Sequence, residues 1–345
     1  MTQTTPMNRQ FRLAARPVGL PAPTDWQRTD EPLAPLADGE ARVRVQYLSL
    51  DPAMRGWMNE GKSYIRPVAI GEVMRAGAVG VVVESKSAHV AVGDTVSGAF
   101  GVQDYWTGPV DAAAAAAMKI DPSLAPAPKW LNILGMPGMT AYFGLTDIGQ
   151  PQAGETVVVS AAAGAVGATV GQVAKQLGCR AVGIAGGPDK CRYVVEELGF
   201  DACIDYKAGP VAAGLKEHCP QGVDVYFDNV GGDILDAVLA RINRKARIVI
   251  CGAISQYNNT TPVRGPANYL ALLVNRARME GMVVFDYAPR YQEGVERLGA
   301  WLQAGAIKSR EHIVDGFEQF PDALTMLFEG KNFGKLVLKI DEHAA

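Results

Sequence analysis

The stretch SAAAGAVGATVGQ, residues 160–172, decides the fold. Before it, ETVVVSA (155–161) has the length and β-branched content of a buried strand. After it, the pattern predicts a helix over 165–177. Gly164 lets the backbone come close to an anionic ligand, and Gly167 lets the helix pack against the strand. The helix N-terminus adds free N–H groups and the positive end of a dipole. These are the parts of a dinucleotide pyrophosphate loop. Its first glycine is replaced by Ala162, which a tight turn accepts if φ stays negative. The alternative is that both glycines serve packing alone.

Working outward, the same unit repeats. RAVGIA (180–185) is a strand, followed by a helix predicted over 189–198. ACIDY, VDVYFDN, ARIVICG and MEGMVVF continue the strand series. Strands alternating with helices imply a parallel sheet covered on both faces, wound in two right-handed halves. The first third differs. EARVRVQYLSL, VGVVVES and DTVSGAF alternate apolar and polar residues between Gly and Asp turns. VDAAAAAAMKID (110–121) reads as a short helix or a tolerant loop. DPSLAPAPKW (121–130) is the most linker-like segment. The end of the chain, with an amphipathic helix in FPDALTMLFEG and a strand in GKLVLKI, does not extend the alternation and returns to the first domain. The expected division is 1–128 with 302–345, and 129–301.

The second strand identifies the cofactor. A site for NAD carries Asp or Glu at its end, where the carboxylate bonds the ribose 2′-OH. Here that position falls on Gly186 or Gly187, and Lys190 and Arg192 follow. Lys190 lies in the first turn of a helix begun by Pro188, where a cation is unfavourable by roughly 0.3 kcal/mol or more. A bound 2′-phosphate reverses that sign, so NADP is expected. Tyr206, ending ACIDY, could close over the same phosphate or simply pack at the strand end.

Bulk properties exclude other classes. The formal charge is −3 over 345 residues, without a basic stripe, so neither nucleic acid nor an anionic membrane is an expected partner. No apolar run suits a membrane span, and the N-terminus lacks a signal core. A cytoplasmic location is expected. Cys179, Cys191, Cys203, Cys219 and Cys251 lie at least 12 residues apart, in neither a disulfide framework nor a close zinc motif. No metal is expected.

The ordered motifs GMPGMTAYFGL, SAAAGAVGATVGQVAK, AGGPDKCRY, FDNVGG, CGAISQYN and GKNFGKLVLKI resemble the zinc-independent medium-chain dehydrogenase/reductases. Within them, the chain is similar to the leukotriene B4 dehydrogenase/prostaglandin reductase and alkenal double-bond reductase group, and most of all to the bacterial curcumin reductases. The resemblance implies an α/β fold: a Rossmann doubly wound parallel sheet (129–301) plus a GroES-like, mainly β catalytic domain (1–128 and 302–345). It also implies a homodimer, with NADPH in a cleft between the domains. It places Gly164, Ala165, Val166 and Gly167 at the pyrophosphate. Lys190 and Tyr206, beside Gly186, fall at the 2′-phosphate, and Asn229 near the ribose and nicotinamide. Residues 251–257, including Cys251, Gly252, Ser255 and Tyr257, line the cofactor, as do Val283, Phe285 and Asn332. One motif departs. The family commonly reads LSLDPYMRG, and this chain has LSLDPAMRG, so Ala53 replaces an aromatic of the substrate pocket. The pocket is then wider, or Tyr64 fills it.

The absence of any cysteine before Cys179 disfavours a zinc-assisted alcohol oxidation. A conjugated C=C–C=O is an easier target. Hydride reaches its β-carbon, and charge moves to the carbonyl oxygen as an enolate. A hydrogen-bond donor stabilises that oxygen by about 2.7–4 kcal/mol. Tyr257 is the candidate donor, or alternatively packs over the ribose. The expected activity is NADPH-dependent enone and enal reduction. Quinone reduction and a non-catalytic NADP-binding role are the alternatives.

Overall fold

The computed structural model describes residues 7–110 and 117–341. The chain divides into two compact units. One runs to Leu131 and takes in Glu311–Asn332 and the segment from Leu336 onward. The other comprises Asn132–Arg310 and Phe333–Lys335.

In the first unit, β1 (Met7–Leu13) pairs antiparallel with β2 (Trp26–Pro32). β3 (Glu40–Ser49), whose Ala41, Val43 and Val45 are buried, leads into the short helix α1 (Ala53–Trp57). β4 (Ala78–Ser85), β5 (Thr95–Gly98), β6 (Tyr105–Pro109) and β7 (Met118–Lys119) follow. All pairings of β3 to β7 are antiparallel. The alanine tract expected as helix or loop falls largely at 111–116, outside the described residues.

The second unit opens with α2 (Met136–Phe143) and continues into the alternation. Its strands are β8 (Thr156–Ser160), β9 (Arg180–Ala185), β10 (Ala202–Asp205), β11 (Val223–Asp228), β12 (Ile242–Ile250) and β13 (Arg278–Gly281). They form one sheet in the order β10-β9-β8-β11-β12-β13, parallel throughout. The chain builds outward from β8 on one side, then restarts at β11 on the other. The order reverses between those two strands, where open α/β sheets bind ligands beyond their carboxyl ends. Val157, Val158 and Val159 are wholly buried because β8 is central and covered on both faces. α3 (Ala165–Gln176) lies close to the sheet. A Cβ on its Gly171 would stand 1.8 Å from the Phe200 ring.

Two elements differ from the sequence reading. The helix expected over 189–198 is a short α4 (Pro188–Arg192) followed by a π-helical turn (Tyr193–Glu197), closed by Leu198 N–H donating to the Tyr193 carbonyl. The strand expected in MEGMVVF stops at Gly281. Residues 284–290 wind into a 3₁₀ turn that draws Phe285 to the surface.

Helices α5 (Val211–His218), α6 (Gly232–Leu239), α7 (Leu270–Asn275) and α8 (Tyr291–Gln303) complete this unit. The chain then returns through β14 (Glu311–Asp315), α9 (Phe320–Phe328) and β15 (Lys335–Lys339), giving the order β14-β15-β3-β4-β5-β7, with β6 on β3. α9 completes the first unit's core. Its Phe320 ring lies 5.3 Å from Phe11 and 5.0 Å from Trp26. Burying side chains of this size contributes roughly 1.5–3 kcal/mol each, which explains why the chain's end belongs to its beginning. Among the described residues, no helix is long and apolar enough to cross a membrane.

Candidate active site and cofactor cradle

Sequence and sterics shape the loop after β8. The Gly164 N–H donates to the Ala161 carbonyl at 2.9 Å, closing a tight turn, and Gly164 then caps α3. A Cβ on Gly167 would lie 2.3 Å from the Ala161 oxygen, so only glycine fits there. The left-handed residue of the turn is Ala161 (φ +53°), one place before the substituted fingerprint position. Ala162 is fully buried, and its methyl occupies space that Gly183 of β9 leaves open. A Cβ on Gly183 would stand 2.7 Å from it. Thus a glycine on the neighbouring strand compensates for the glycine missing from the loop. Ala165 and Val166 form the first turn of α3, whose N–H groups face the loop. The tripeptide after Asn332 joins the same loop. Gly334 N–H donates to the Ala163 carbonyl at 3.1 Å, and Phe333 meets the Tyr193 ring edge-on at 4.9 Å.

Beyond β9 the construction changes from backbone to charge. Gly187, at φ +98°, donates its N–H to Asp205 at 2.8 Å, and Lys207 N–H donates to the same oxygen at 2.9 Å. Tyr206 lies directly over Gly186, where a Cβ would come within 2.8 Å of the phenol. Lys190 is half-buried in the first turn of α4. Burial, reinforced by the charge of Lys207, pushes its ammonium below the usual lysine range. The charge of Lys207 thus acts on Lys190 beside the exposed Tyr206, a repulsion that a bound anion would relieve. Sequence alone does not single out Lys207, although it directly follows ACIDY. Arg192 instead pairs with Asp189 at 3.1 Å on the surface.

A third cluster joins β8, β11 and β12. Asp228 ends β11 and is 1% exposed. Its Oδ1 accepts from Ser160 Oγ (3.1 Å), Tyr226 Oη (2.8 Å), Val230 N–H (3.0 Å) and Gly231 N–H (2.9 Å). Burial pushes this carboxyl up, against the pull of those donors. Its backbone carbonyl accepts from Cys251 and Gly252 N–H. Asp228 thus organises both loops. Its sequence signal is the second carboxylate of VDVYFD, the one that ends the strand after the apolar Val225, Tyr226 and Phe227. Asn229 is placed by the same network, with its side-chain amide donating to the Ser160 carbonyl at 2.8 Å. Ser255 Oγ donates to the Val230 carbonyl at 2.6 Å. The Cys251 thiol is pushed up to about 12 by burial and stays protonated, as an apolar thiol does.

Tyr257 closes this loop on itself. Its hydroxyl accepts the Ala253 N–H at 3.1 Å and stands over Gly252, where a Cβ would lie 2.7 Å away. Accepting a hydrogen bond polarises the phenol and makes its own O–H a better donor. Val283 and Phe285 follow β13. Met282 N–H donates to the Ile250 carbonyl, tying them to the end of β12. In the first unit, Ala53 packs on the core at the start of α1. Tyr64 is exposed, with its hydroxyl accepting from Trp57 Nε1 at 3.3 Å. Arg55 donates to the Gly19 and Pro17 carbonyls and to Asn59.

Comparison with known proteins places this arrangement. Residues 9–116 match the family described as the N-terminal domain of oxidoreductase, and 165–300 match the family described as zinc-binding dehydrogenase. A putative NADP-dependent oxidoreductase of Bacillus subtilis, YfmJ, is 46% identical over 98% of this chain and 99% of its own. The NADPH-dependent curcumin reductase of Escherichia coli is 44% identical over 99% of each. The chain belongs to the medium-chain dehydrogenase/reductases. Its place is in their alkenal, prostaglandin and curcumin reductase group. The crystal structure of CurA in complex with NADPH from Vibrio vulnificus superposes with a TM-score of 0.90 at 46% identity, covering 97% of this chain and 99% of that one. The fold is accordingly the Rossmann sheet with a GroES-like partner domain. Among the described residues, no three His, Cys, Asp or Glu side chains stand together as metal ligands, so the zinc in the family description has no matching donor set here. The glycine cradle and the Lys190–Lys207 patch do fit a phosphorylated dinucleotide.

Proposed function

We propose that this chain is an NADPH-dependent reductase of the C=C bond in α,β-unsaturated ketones and aldehydes. The observation that carries the reading is the paired cradle. A loop that excludes side chains suits a pyrophosphate, and two lysines beside Tyr206 suit a 2′-phosphate. The substrate class comes from relatives named curcumin reductase and 2-alkenal reductase, at 44% and 39% identity. Quinone reductases among the structural neighbours are about as similar as the fold alone requires, at 20–22% identity.

In this reading, Gly164–Gly167 and the α3 N-terminus hold the pyrophosphate, while Lys190, Lys207 and Tyr206 hold the adenosine phosphate. Asn229, Cys251, Gly252, Ser255, Val283, Phe285 and Asn332 line the remainder. Bound NADPH supplies hydride to the β-carbon. Tyr257 donates to the oxygen on which negative charge develops. Ala53 and Tyr64 border the substrate.

The decisive assay follows NADPH absorbance over a panel of open-chain enones, enals and cyclic quinones, with the saturated product identified. NADPH binding without turnover anywhere in the panel refutes the reading. Tyr257→Phe is expected to lower kcat roughly 10²–10³-fold, as for loss of one oxyanion donor, with a smaller loss of NADPH affinity because the Ala253 N–H loses its acceptor. An unchanged kcat removes Tyr257 from the chemistry.

The assembly is a homodimer in the cytoplasm. Its support is an apolar surface on the second unit. Tyr269, Leu270, Leu273 and Val274 of α7 and the residue before it are 56–74% exposed, and β13 is the last strand in the order of its sheet among the described residues. Light scattering of Leu273→Glu tests this, with a monomer expected.

A further inference from the structure

Cys191 and Cys203 are a pair that the proposed chemistry does not use. Their sulfurs are 3.2 Å apart, with the Cys203 thiol donating to Cys191. Cys203 sits within β10. Cys191 sits on α4, one residue after Lys190. A disulfide bond is about 2.05 Å long, so closure needs an approach of about 1.2 Å. The two sides yield unequally. β10 is a hydrogen-bonded strand of the parallel sheet. α4 spans five residues, none of them buried, and begins at the left-handed Gly187. Closure therefore displaces α4, and Lys190 moves with it.

We propose that Cys191 and Cys203 form a reversible disulfide that lowers affinity for the 2′-phosphorylated cofactor by drawing Lys190 out of register with Tyr206 and Lys207. The proposal rests on the cofactor reading above. The oxidant is a low-molecular-weight disulfide such as oxidised glutathione. Cys191, whose sulfur accepts the Cys203 hydrogen bond, loses its proton and attacks one glutathione sulfur, and the first glutathione leaves as a thiolate. Cys203 then gives up its proton and attacks the Cys191 sulfur, expelling the second. Two protein thiols are oxidised to one disulfide, and one glutathione disulfide is reduced to two thiols, which recover the two protons. Burial pushes both protein thiols up, so they rest protonated and the reaction is slow at neutral pH. Linkage requires the reverse effect as well: bound NADPH protects the pair.

The test uses the full chain without cofactor, incubated with oxidised glutathione and mapped by mass spectrometry without reduction. A Cys191–Cys203 cross-link is expected. NADPH affinity should fall about tenfold, within the range of roughly 5–150-fold typical of coupled sites, with NADH affinity much less changed. Dithiothreitol should restore it. Cys191→Ser should bind NADPH like the reduced protein and lose the response. Absence of the cross-link overturns the proposal, as does a cross-link that leaves NADPH affinity unchanged. The reduced protein's preference for NADPH over NADH is measured first. Its absence defeats the cofactor reading, and the switch with it, while the cross-link is read independently by mass.

Discussion

The loop after β8 and the loops after β9 and β10 lie along the same edge of one parallel sheet, yet they are built on different principles. The first contains no charged side chain from Ser160 to Gly171. It is defined by places where no side chain fits, Gly167 against the Ala161 oxygen above all. The second is defined by side chains: two lysines, a tyrosine over Gly186, and Asp205 bracing two backbone N–H groups. A steric site fails for every nucleotide at once, whereas an electrostatic one fails selectively and responds to salt.

The largest effect tests the steric half. Gly167→Ala places a methyl 2.3 Å from a backbone oxygen, and neither helix nor strand can yield cheaply. Overpacking of this kind costs about 1–3 kcal/mol or more. Denaturant unfolding should show that loss, and titration should show NADPH and NADH binding falling together. A selective loss of NADPH alone would erase the distinction between the two loops.

The electrostatic half predicts the converse. Lys190→Ala should weaken NADPH binding by about 10–100-fold, as expected for a charge-assisted hydrogen bond worth roughly 1.5–3 kcal/mol, and leave NADH almost unaffected. Lys207→Ala should act in the same direction but less, since Lys207 adds charge from a more exposed position. Raising the salt concentration should narrow the gap between wild type and Lys190→Ala. Equal effects on both cofactors would show that Lys190 serves the loop's structure and not the phosphate.

The two regions also differ in how far sequence alone discloses them. A steric loop is written in residue types at fixed spacing, so Gly164, Gly167 and the predicted helix are read directly; α3 begins at Ala165, where expected. The parallel sheet is legible for the same reason, because the central strand β8 is buried at every position and strand-like and helix-like segments alternate after it. Partners distant in sequence are not legible in this way. Nothing near SAAAGAVG indicates that Gly183 accommodates Ala162, or that Gly334 bonds the Ala163 carbonyl. Lys207 and Asp228 escape notice because their roles depend on strands that meet only in the folded sheet. The division of residues 188–197 into a short helix and a π turn is likewise set by packing, since propensity favours one continuous helix.

The smallest effect is the finest test of the steric loop. Ala161 and Ala162 are adjacent and chemically identical, but the fold asks opposite things of them. Ala161 holds a left-handed φ of +53°, which costs a non-glycine residue about 1 kcal/mol, so Ala161→Gly relieves strain and offsets the entropy that glycine adds to the unfolded chain. Ala162 carries a fully buried methyl fitted against Gly183. Ala162→Gly restores the fingerprint's missing glycine but removes that methyl and adds the same entropy, for a loss of about 1–2 kcal/mol. Thermal unfolding should therefore show Ala161→Gly neutral or stabilised and Ala162→Gly destabilised, with the NADPH-to-NADH preference unchanged in both. Equal destabilisation by the two would mean that the left-handed turn carries no strain. A gain in stability for Ala162→Gly would mean that Gly183 does not compensate for the substituted glycine.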